Sequence, residues 1–494
     1  MLKKSLTLFL FGLPLCFATD AATQAVADTA ALALNPALVD AARPTHVIPV
    51  VSEQPATTTM FPHPDSARYF IAGQFNVIFQ AHAPFHSAYA GTNSLLGRGE
   101  YKASLIGTLY MGAELARAPG HHLEAIYDEE SAGGRGISEA LGLAGFTNLD
   151  VVRNPTLGSL PYMARVELHQ TIGLSSKMID AVRGPFSLAT KVPERRIELR
   201  AGKMSLPDHL DLNSIGTDSH LQFMNWTVDN NGAWDYAAET RGYTRATIVE
   251  YDDRSWSARY AAALMPTVAN GIDLDWNLTR ASGQNAEVEW RGNLFGPLLF
   301  GRWLDPARKG VIHALGYVNH ANMGDYREQN IKFLKGQTPT PDITAHPLVS
   351  SVKYGVGLNV EQEVSENSRV FARFGWNEGQ HESFAYTEVD QTVALGADYA
   401  GKQWGRENDK IGLTFVSNAI KRDHQAYLHL GGQGFLLGDG NLSYAREDIL
   451  EAYYNAHARR GLYYALDVQY IDHPGYNQAR GPVLVESVRM HIDF

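Results

Sequence analysis

Charged and amide side chains recur at alternate positions in the second half of the chain. Asn359 and Glu361 lie two residues apart in "GLNVEQE", and Arg369 and Arg373 lie four apart in "SRVFARFGW". In a β-strand, residues separated by two or four positions face the same side. Fixed donors and acceptors on one face suit hydrogen bonding to water or a polar solute, and charges of both signs produce a field across the space they face.

The sequence contains no recognisable catalytic or cofactor-binding motif. G-x-S-x-G, H-E-x-x-H and Walker loops are absent, and the 18 histidines are scattered. The only cysteine, Cys16, lies in the apolar amino-terminal stretch. A formal net charge of −11 argues against a nucleic-acid binder. The sequence therefore predicts neither an enzyme, a metal site, a bound cofactor nor a nucleic-acid partner.

The strands that carry these side chains alternate apolar and polar residues. The last one, "SVRMHIDF", presents Val488, Met490, Ile492 and Phe494 on its apolar face. Short connectors such as "VSENS" alternate with long ones such as "GGQGFLLGDGNLSYAR", and no later stretch has the ~18 consecutive apolar residues of a membrane helix. This pattern predicts an all-β, antiparallel up-and-down transmembrane barrel with short periplasmic turns and long extracellular loops.

A soluble β-sandwich would show the same alternation, so the outward faces decide between the two folds. Aromatic residues lie near the strand ends, at Trp376, Tyr399, Tyr454 and Tyr470, which is typical of the aromatic girdles of a membrane barrel. We therefore expect apolar side chains to face lipid and hydrophilic ones to line a water-filled conduit. The last strand should pair with the first, which places Phe494 at the periplasmic rim.

The amino-terminus resembles an export signal. Lys3 and Lys4 precede an apolar stretch, and Ala25-Val26-Ala27 provides small residues for cleavage. Residues 1–27 are thus predicted to be a signal peptide, 28–67 a flexible lead-in rich in alanine and proline, and 68–494 the barrel.

Strand parity identifies the side chains that would line the lumen. Arg373 and Arg489 lie near the middle of their strands, where a constriction would form. The alternative is that these groups only solvate a wide aqueous interior. The candidates are Asn359, Glu361, Arg369, Arg373, Asp398, Glu451, Asp467, Gln469 and Arg489, with Arg196 and Arg200 on a polar wall that includes Glu198.

Residues 200–244 resemble the carbohydrate-selective porin family of Gram-negative outer membranes. The segments "NHANMGDYRE", "LGDGNLSYAREDILEAYYN" and "HPGYNQARGP" resemble the same family. Where the family often has Asp-Pro-Arg-Thr, this chain has Asp218-Ser219-His220-Leu221. The matching features within 200–244 are Ala201-Gly202-Lys203, Gln222-Phe223, Asn225-Trp226, the run "GAWDY" and the run "RGYT".

The resemblance implies a barrel of about sixteen strands and passive uptake of monosaccharides and related polyols, without a cofactor. Outer-membrane lipid and lipopolysaccharide would surround the barrel, and the assembly machinery would read Phe494. The rival functions are a general or anion-preferring porin, or a soluble secreted β-rich carbohydrate-binding protein or enzyme.

The segment "FMNWTVDNNGAWDYAAETRGYT" contains candidates for a loop folded into the channel. Trp226 and Trp234 are suited to stacking on a sugar, and pairing among Asp235, Glu239 and Arg241 would hold the loop. Alternatively, both tryptophans anchor the barrel at the membrane interface and Asp235–Arg241 is a structural bridge.

Overall fold

Sixteen antiparallel strands close into one barrel in the computed structural model, which describes residues 59–151, 157–292, 308–347 and 350–494. This confirms the predicted fold class. The predicted signal peptide, and the predicted lead-in as far as residue 58, lie outside the described residues. The barrel strands are β1 (Tyr69–His82), β2 (Glu100–Ala118), β3 (His121–Gly134), β4 (Tyr162–Gly173), β7 (Arg196–Met204), β8 (Thr244–Asp252), β9 (Trp256–Ala263), β10 (Ser282–Gly292), β11 (Gly310–Ala321), β12 (Ser351–Glu363), β13 (Ser368–Asn377), β14 (Gln391–Ala400), β15 (Lys410–Ala419), β16 (Glu447–Arg459), β17 (Leu462–Asp472) and β18 (Val483–Asp493).

The barrel closes through its first and last strands. β1 pairs with β18 from Gln74 opposite Asp493 to His82 opposite Val485. Beyond this ladder, the Phe494 amide donates to the Gly73 carbonyl at 2.8 Å, and the Gly73 amide donates back at 2.7 Å. No edge is left unpaired at this seam, as a strand in lipid requires.

The two-residue period of each strand separates an outer face from an inner face. On β17, Leu466 is 61% exposed and Tyr470 is 44% exposed, whereas Asp467 and Gln469 between them are buried. Apolar side chains on the outer face contact lipid favourably, whereas polar side chains need hydrogen-bond partners, which the inside of the barrel provides. The predicted outward faces are therefore confirmed on this strand.

The connectors differ in length between the two rims. Short connectors join strands at one rim: 119–120, 253–255, 364–367, 401–409 and 460–461. The opposite rim has the long connectors 83–99, 135–161, 205–243, 264–281, 322–350, 378–390, 420–446 and 473–482. Three α-helices of the described residues lie in these: α1 (Trp226–Asp229), α2 (Tyr326–Leu334) and α3 (Arg422–His429). None of the helices in the described part of the chain is both long and apolar enough to cross a membrane.

Among the connectors at the short-connector rim that the structure describes in full, the one at 174–195 is unexpectedly long. Residues 174–195 contain the hairpin of β5 (Met178–Asp180) and β6 (Lys191–Pro193) and turn back into the barrel mouth. The Leu188 amide donates to Glu124 on β3 at 2.8 Å, and its side chain packs with Phe70. The predicted alternation came from the second half of the chain, so it did not include this insertion.

Deleting Phe494 should lower the stability of the barrel by about 2 kcal/mol, since it removes two hydrogen bonds of the closing seam. Phe494→Ala should cost less, because it keeps the backbone bonds and removes only the ring that lies over Gly73. The temperature at which the folded form loses its faster migration in semi-native electrophoresis measures both. Equal losses for the two variants would show that the seam bonds contribute nothing.

Candidate functional site in the barrel interior

Residues 205–243, which we call the inward loop, fold into the barrel and reach several sides of its wall. The side-chain nitrogen Nδ2 of Asn213 donates to Asn359 Oδ1 on β12 at 2.7 Å. Trp234 Nε1 donates to Asn285 Oδ1 on β10 at 2.8 Å. Because these strands and β16, which also binds the loop, lie apart around the barrel, the inward loop crosses the interior.

Arg373 on β13 is the most extensively bonded anchor of the inward loop among the predicted residues. Its guanidinium donates to the carbonyls of Val228, Asp229 (3.0 Å) and Asp211 (2.8 Å), and to Thr217 Oγ1 (2.7 Å). Its Nε also lies 3.3 Å from the Asp211 carboxylate, and its side chain is fully buried. A planar group with five donors can bind several carbonyls at once, which a lysine could not do in the same geometry.

Arg489 and Glu451 hold the part of the inward loop around residue 222. Arg489 Nη1 donates to the carbonyls of Ser219 (2.6 Å) and Gln222 (2.9 Å). Glu451 Oε1 accepts the Met224 amide at 2.6 Å. Asp467 lies beside Glu451 on the neighbouring strand, where Gln469 Nε2 donates to Asp467 Oδ1 at 3.3 Å and more weakly to Glu451.

Asn359 and Glu361 bind the first part of the inward loop. Asn359 Nδ2 donates to the carbonyls of Asp211 and Leu212, each at 3.0 Å. Glu361 Oε2 accepts the Ser214 amide at 2.6 Å. Strand parity placed these side chains on the inner face, but it could not show that the loop covers them, because their partners lie more than a hundred residues away. A role of these residues toward a solute stays a prediction.

Trp226 and Trp234 are buried inside the barrel, so the interfacial-anchor alternative is wrong. Trp226 Nε1 donates to the Asn148 carbonyl at 2.7 Å, and its ring stacks on Tyr386 with centroids 5.7 Å apart. The ring of Trp234 packs against Tyr236 at 5.1 Å. Both rings thus have protein partners, and stacking on a sugar stays a prediction.

Asp235, Glu239 and Arg241 do not pair with one another among the described contacts, contrary to the prediction. Asp235 Oδ2 lies 3.1 Å from Lys353 Nζ on β12, and its carboxylate also accepts the amides of residues 384 and 385. Glu239 pairs with Lys203 on β7 at 3.1 Å. The Arg241 guanidinium lies 4.0 Å from the centre of the Tyr162 ring. The cations that hold the two carboxylates come from the wall, which local sequence could not reveal.

The interior is not simply a water-filled conduit, which corrects a second expectation. The inward loop and the connectors 135–161, 378–390 and 420–446 contribute to a buried apolar cluster. Its members include Phe146, Phe223, Trp226, Val228, Trp234, Phe384, Tyr386 and Leu436. The apolar packing and the polar anchors together hold the loops against one another, so passage through the barrel is restricted to the spaces between loops and wall.

Arg196 and Arg200 belong to a polar network on the inner wall, where β4, β7 and β8 meet. Arg196 pairs with Glu198 and with Asp252, the latter at 2.7 Å. Arg200 Nη1 lies 3.0 Å from Glu167 Oε1. Opposite charges therefore alternate along this wall, as the pattern in "RRIELRAGK" predicts.

Three side chains that could ligate a metal ion lie on β10 and β11, and the sequence analysis did not identify them. Ligand atoms of Glu287, Glu289 and His313 lie within 4.8 Å of one another, close enough to hold a metal ion. Arg259 Nη1, however, lies 2.9 Å from Glu287 and 2.6 Å from Glu289. The arginine already pairs with both carboxylates, so the donor set is better explained as an ion-pair network than as a metal site.

Comparison with known proteins identifies a matching family. The model of the carbohydrate-selective porin, OprB family, matches residues 112–494. No curated protein sequence matches the chain. The high-pH structure of Pseudomonas putida OprB is similar over 86% of this chain and 94% of its own, with 15% identity and a TM-score of 0.62, which shows a shared fold. The low-pH structure of the same protein (13% identity, 86% and 92% coverage, TM-score 0.41) and Salmonella typhi OmpF in complex with daunomycin (10% identity, 87% and 98% coverage, TM-score 0.47) are also similar.

Proposed function

Since the chain belongs to the OprB family of carbohydrate-selective porins, we propose that it lets monosaccharides and related small polyols diffuse passively through the outer membrane. The chain is a Gram-negative outer-membrane barrel, and its family consists of channels rather than enzymes. The observation that carries the proposal is the inward loop, which Arg373 and Arg489 hold across the interior. A crossing loop limits the size of a solute and places polar groups along its route.

The charge balance of the wall favours neutral solutes over ions. Among the described residues, the buried arginines of the wall other than Arg489 have acidic partners, so little positive charge is left in excess around the route. The pairs include Arg165 with Asp128 and Asp208, Arg196 with Asp252, Arg200 with Glu167, Arg259 with Glu289, Arg369 with Asp398, and Arg373 with Asp211. An anion-preferring porin would need several cations without such partners, which makes that alternative the weaker one.

The proposal extends to the parts of the chain around the barrel. Residues 1–27 would direct export and be removed. The flexible lead-in predicted for residues 28–67 is corrected at its described end, because the Met60 amide donates to the Asp493 carbonyl at 2.9 Å and Arg460 donates to the Thr59 carbonyl at 2.6 Å. Outer-membrane lipid and lipopolysaccharide would contact the outward apolar face, and the assembly machinery would read Phe494. The predicted lining residues would contact the solute where the loops leave them accessible.

Liposome swelling with the purified full chain tests the function. Vesicles with the protein should swell quickly in a pentose, a hexose or glycerol, and slowly in a trisaccharide, because the inward loop limits the solute size. Reversal potentials in a salt gradient across planar bilayers measure ion preference in the same preparation. Strong anion selectivity together with equal swelling in all sugars would support a general or anion porin instead.

A further inference from the structure

Four side chains where the inward loop meets the wall carry polar atoms that have no hydrogen-bond partner among the described residues. On the wall these atoms are Tyr453 Oη, Asn455 Oδ1, and Nε and Nη2 of Arg489; on the loop the atom is Gln222 Oε1. The Asp467 carboxylate lies beside them on the wall, where it also contacts Glu451. All five residues are at least 95% buried. Each buried polar atom left unpaired costs about 1–3 kcal/mol, so a cluster of them indicates a place where polar molecules bind.

The strand register brings the four wall residues together. Asp467 lies directly opposite Tyr453 on β16. In the next row, Ala465 lies between Arg489 and Asn455, opposite both. Since alanine has only a methyl group, Arg489 and Asn455 flank a small side chain on the inner face.

The inward loop forms the roof of this niche, and part-exposed charges form its rim. Arg489 Nη1 binds the Gln222 carbonyl, and the Phe223 ring meets the Tyr453 ring edge-on with centroids 4.8 Å apart. At the rim, the side chains of Lys410 and His220 are 16% and 20% exposed. Lys410 lies opposite Asn455 in the β15–β16 ladder. The niche therefore borders the solvent-accessible side of the inward loop.

We propose that this niche, formed by Gln222, Tyr453, Asn455, Asp467 and Arg489, binds adjacent hydroxyl groups at one edge of a passing neutral polyol. The inference rests on the proposed function, and it names the place and the atoms that recognise the solute. The unpartnered atoms include donors (Arg489), acceptors (Asn455 and Gln222) and a phenol that can do both. A sugar hydroxyl also donates and accepts, so neighbouring hydroxyls can satisfy this mixture.

The composition of the niche also disfavours ions. Arg489 and the Asp467 carboxylate, which lies beside Glu451, have opposite charges, so a cation or an anion would meet a like charge at close range. A neutral hydroxyl-rich molecule meets both groups favourably, because charged donors and acceptors form its stronger hydrogen bonds.

Tyr453→Phe provides the sharpest test, because it removes only a hydroxyl that has no protein partner. Glucose block of single-channel current in planar bilayers gives the half-blocking concentration for the full-length protein. We expect this concentration to rise about three- to tenfold in Tyr453→Phe, the usual worth of one hydrogen bond, with unchanged heat stability in semi-native electrophoresis. Arg489→Lys is the second variant, because it lacks the two unpartnered nitrogens, and its half-blocking concentration should rise as well.

Tyr326→Phe is the matched control. Tyr326 also carries a buried hydroxyl without a partner, but it lies on α2, where its ring stacks on His424 at 4.1 Å. Its half-blocking concentration should equal that of the wild type. If glucose blocks the wild type and stable Tyr453→Phe equally, the niche holds only water and the inference fails while the proposed function stands. If glucose neither blocks nor permeates the wild type, both fail.

Discussion

Replacing Arg373 with leucine should release the inward loop and raise the single-channel conductance severalfold. The variant loses the hydrogen bonds to the carbonyls of Val228, Asp229 and Asp211, and it leaves the buried Asp211 carboxylate without its cation. Removing one partner of a buried ion pair costs about 3–5 kcal/mol. The loop can avoid part of this cost by leaving the interior, where Asp211 regains water. Conductance in planar bilayers and swelling in a trisaccharide both measure the wider opening.

Arg196→Leu is the matched control for this experiment. Arg196 is a buried inner-wall arginine whose removal also leaves a carboxylate, Asp252, with one partner fewer. Its contacts are with residues 193, 198 and 252, not with the inward loop. The control should therefore lose heat stability but keep its conductance. An unchanged conductance in stable Arg373→Leu would show that the remaining anchors suffice and that Arg373 does not set the opening.

The fold could be predicted because the information that defines a barrel is local. The two-residue period of "SVRMHIDF" separates Val488 from Arg489, and the structure places the first outward and the second inward. The same parity assigned the inner faces of β12, β13, β16 and β17. A strand needs only its own residues to show which face is apolar.

The packing of the interior could not be predicted, because it depends on pairs that are distant in sequence. Asp235 binds Lys353, and Arg489 binds carbonyls near residue 220. The inward loop has no repeating pattern that indicates its partners. The one available signal was the cluster of tryptophans and charges after residue 222. It predicted a functional loop, but the pairing expected between Asp235 and Arg241 was wrong. The connector 174–195 shows the same limit, since its path into the barrel mouth depends on contacts with β1 and β3 that lie far away in the sequence.

One position in the inward loop departs from the run that the resemblance implies. His220 lies in Asp218-Ser219-His220-Leu221, where the resemblance implies Asp-Pro-Arg-Thr. Its Nε2 lies 3.0 Å from Asp150 Oδ1, and this contact joins the inward loop to the connector 135–161. Asp150 also accepts a hydrogen bond from Asn76 on β1 at 2.5 Å. The imidazole of His220 supplies a cation to Asp150 only while it is protonated.

The contact between His220 and Asp150 should therefore weaken at high pH. Burial lowers the pKa of His220, but the Asp150 carboxylate outweighs it and raises the pKa from 6.5 to about 9, with Asp218 acting in the same direction and Arg489 against it. The His491 ring stacks on the imidazole at 5.4 Å. Because the folded pKa is the higher one, the stabilisation is complete below pH 6.5 and is lost as the pH rises through about 9. Its full value is roughly 3 kcal/mol.

We expect the wild-type conductance to be constant from pH 6 to 8 and to become higher and noisier by pH 10, as neutral His220 releases Asp150. His220→Gln should behave at pH 7 as the wild type does at pH 10, since glutamine has no charge to lose. His220→Arg is the decisive control, because its guanidinium stays charged throughout this range. The conductance of His220→Arg should not rise between pH 8 and pH 10. A rise as large as that of the wild type would show that another group causes the pH dependence and that His220 does not.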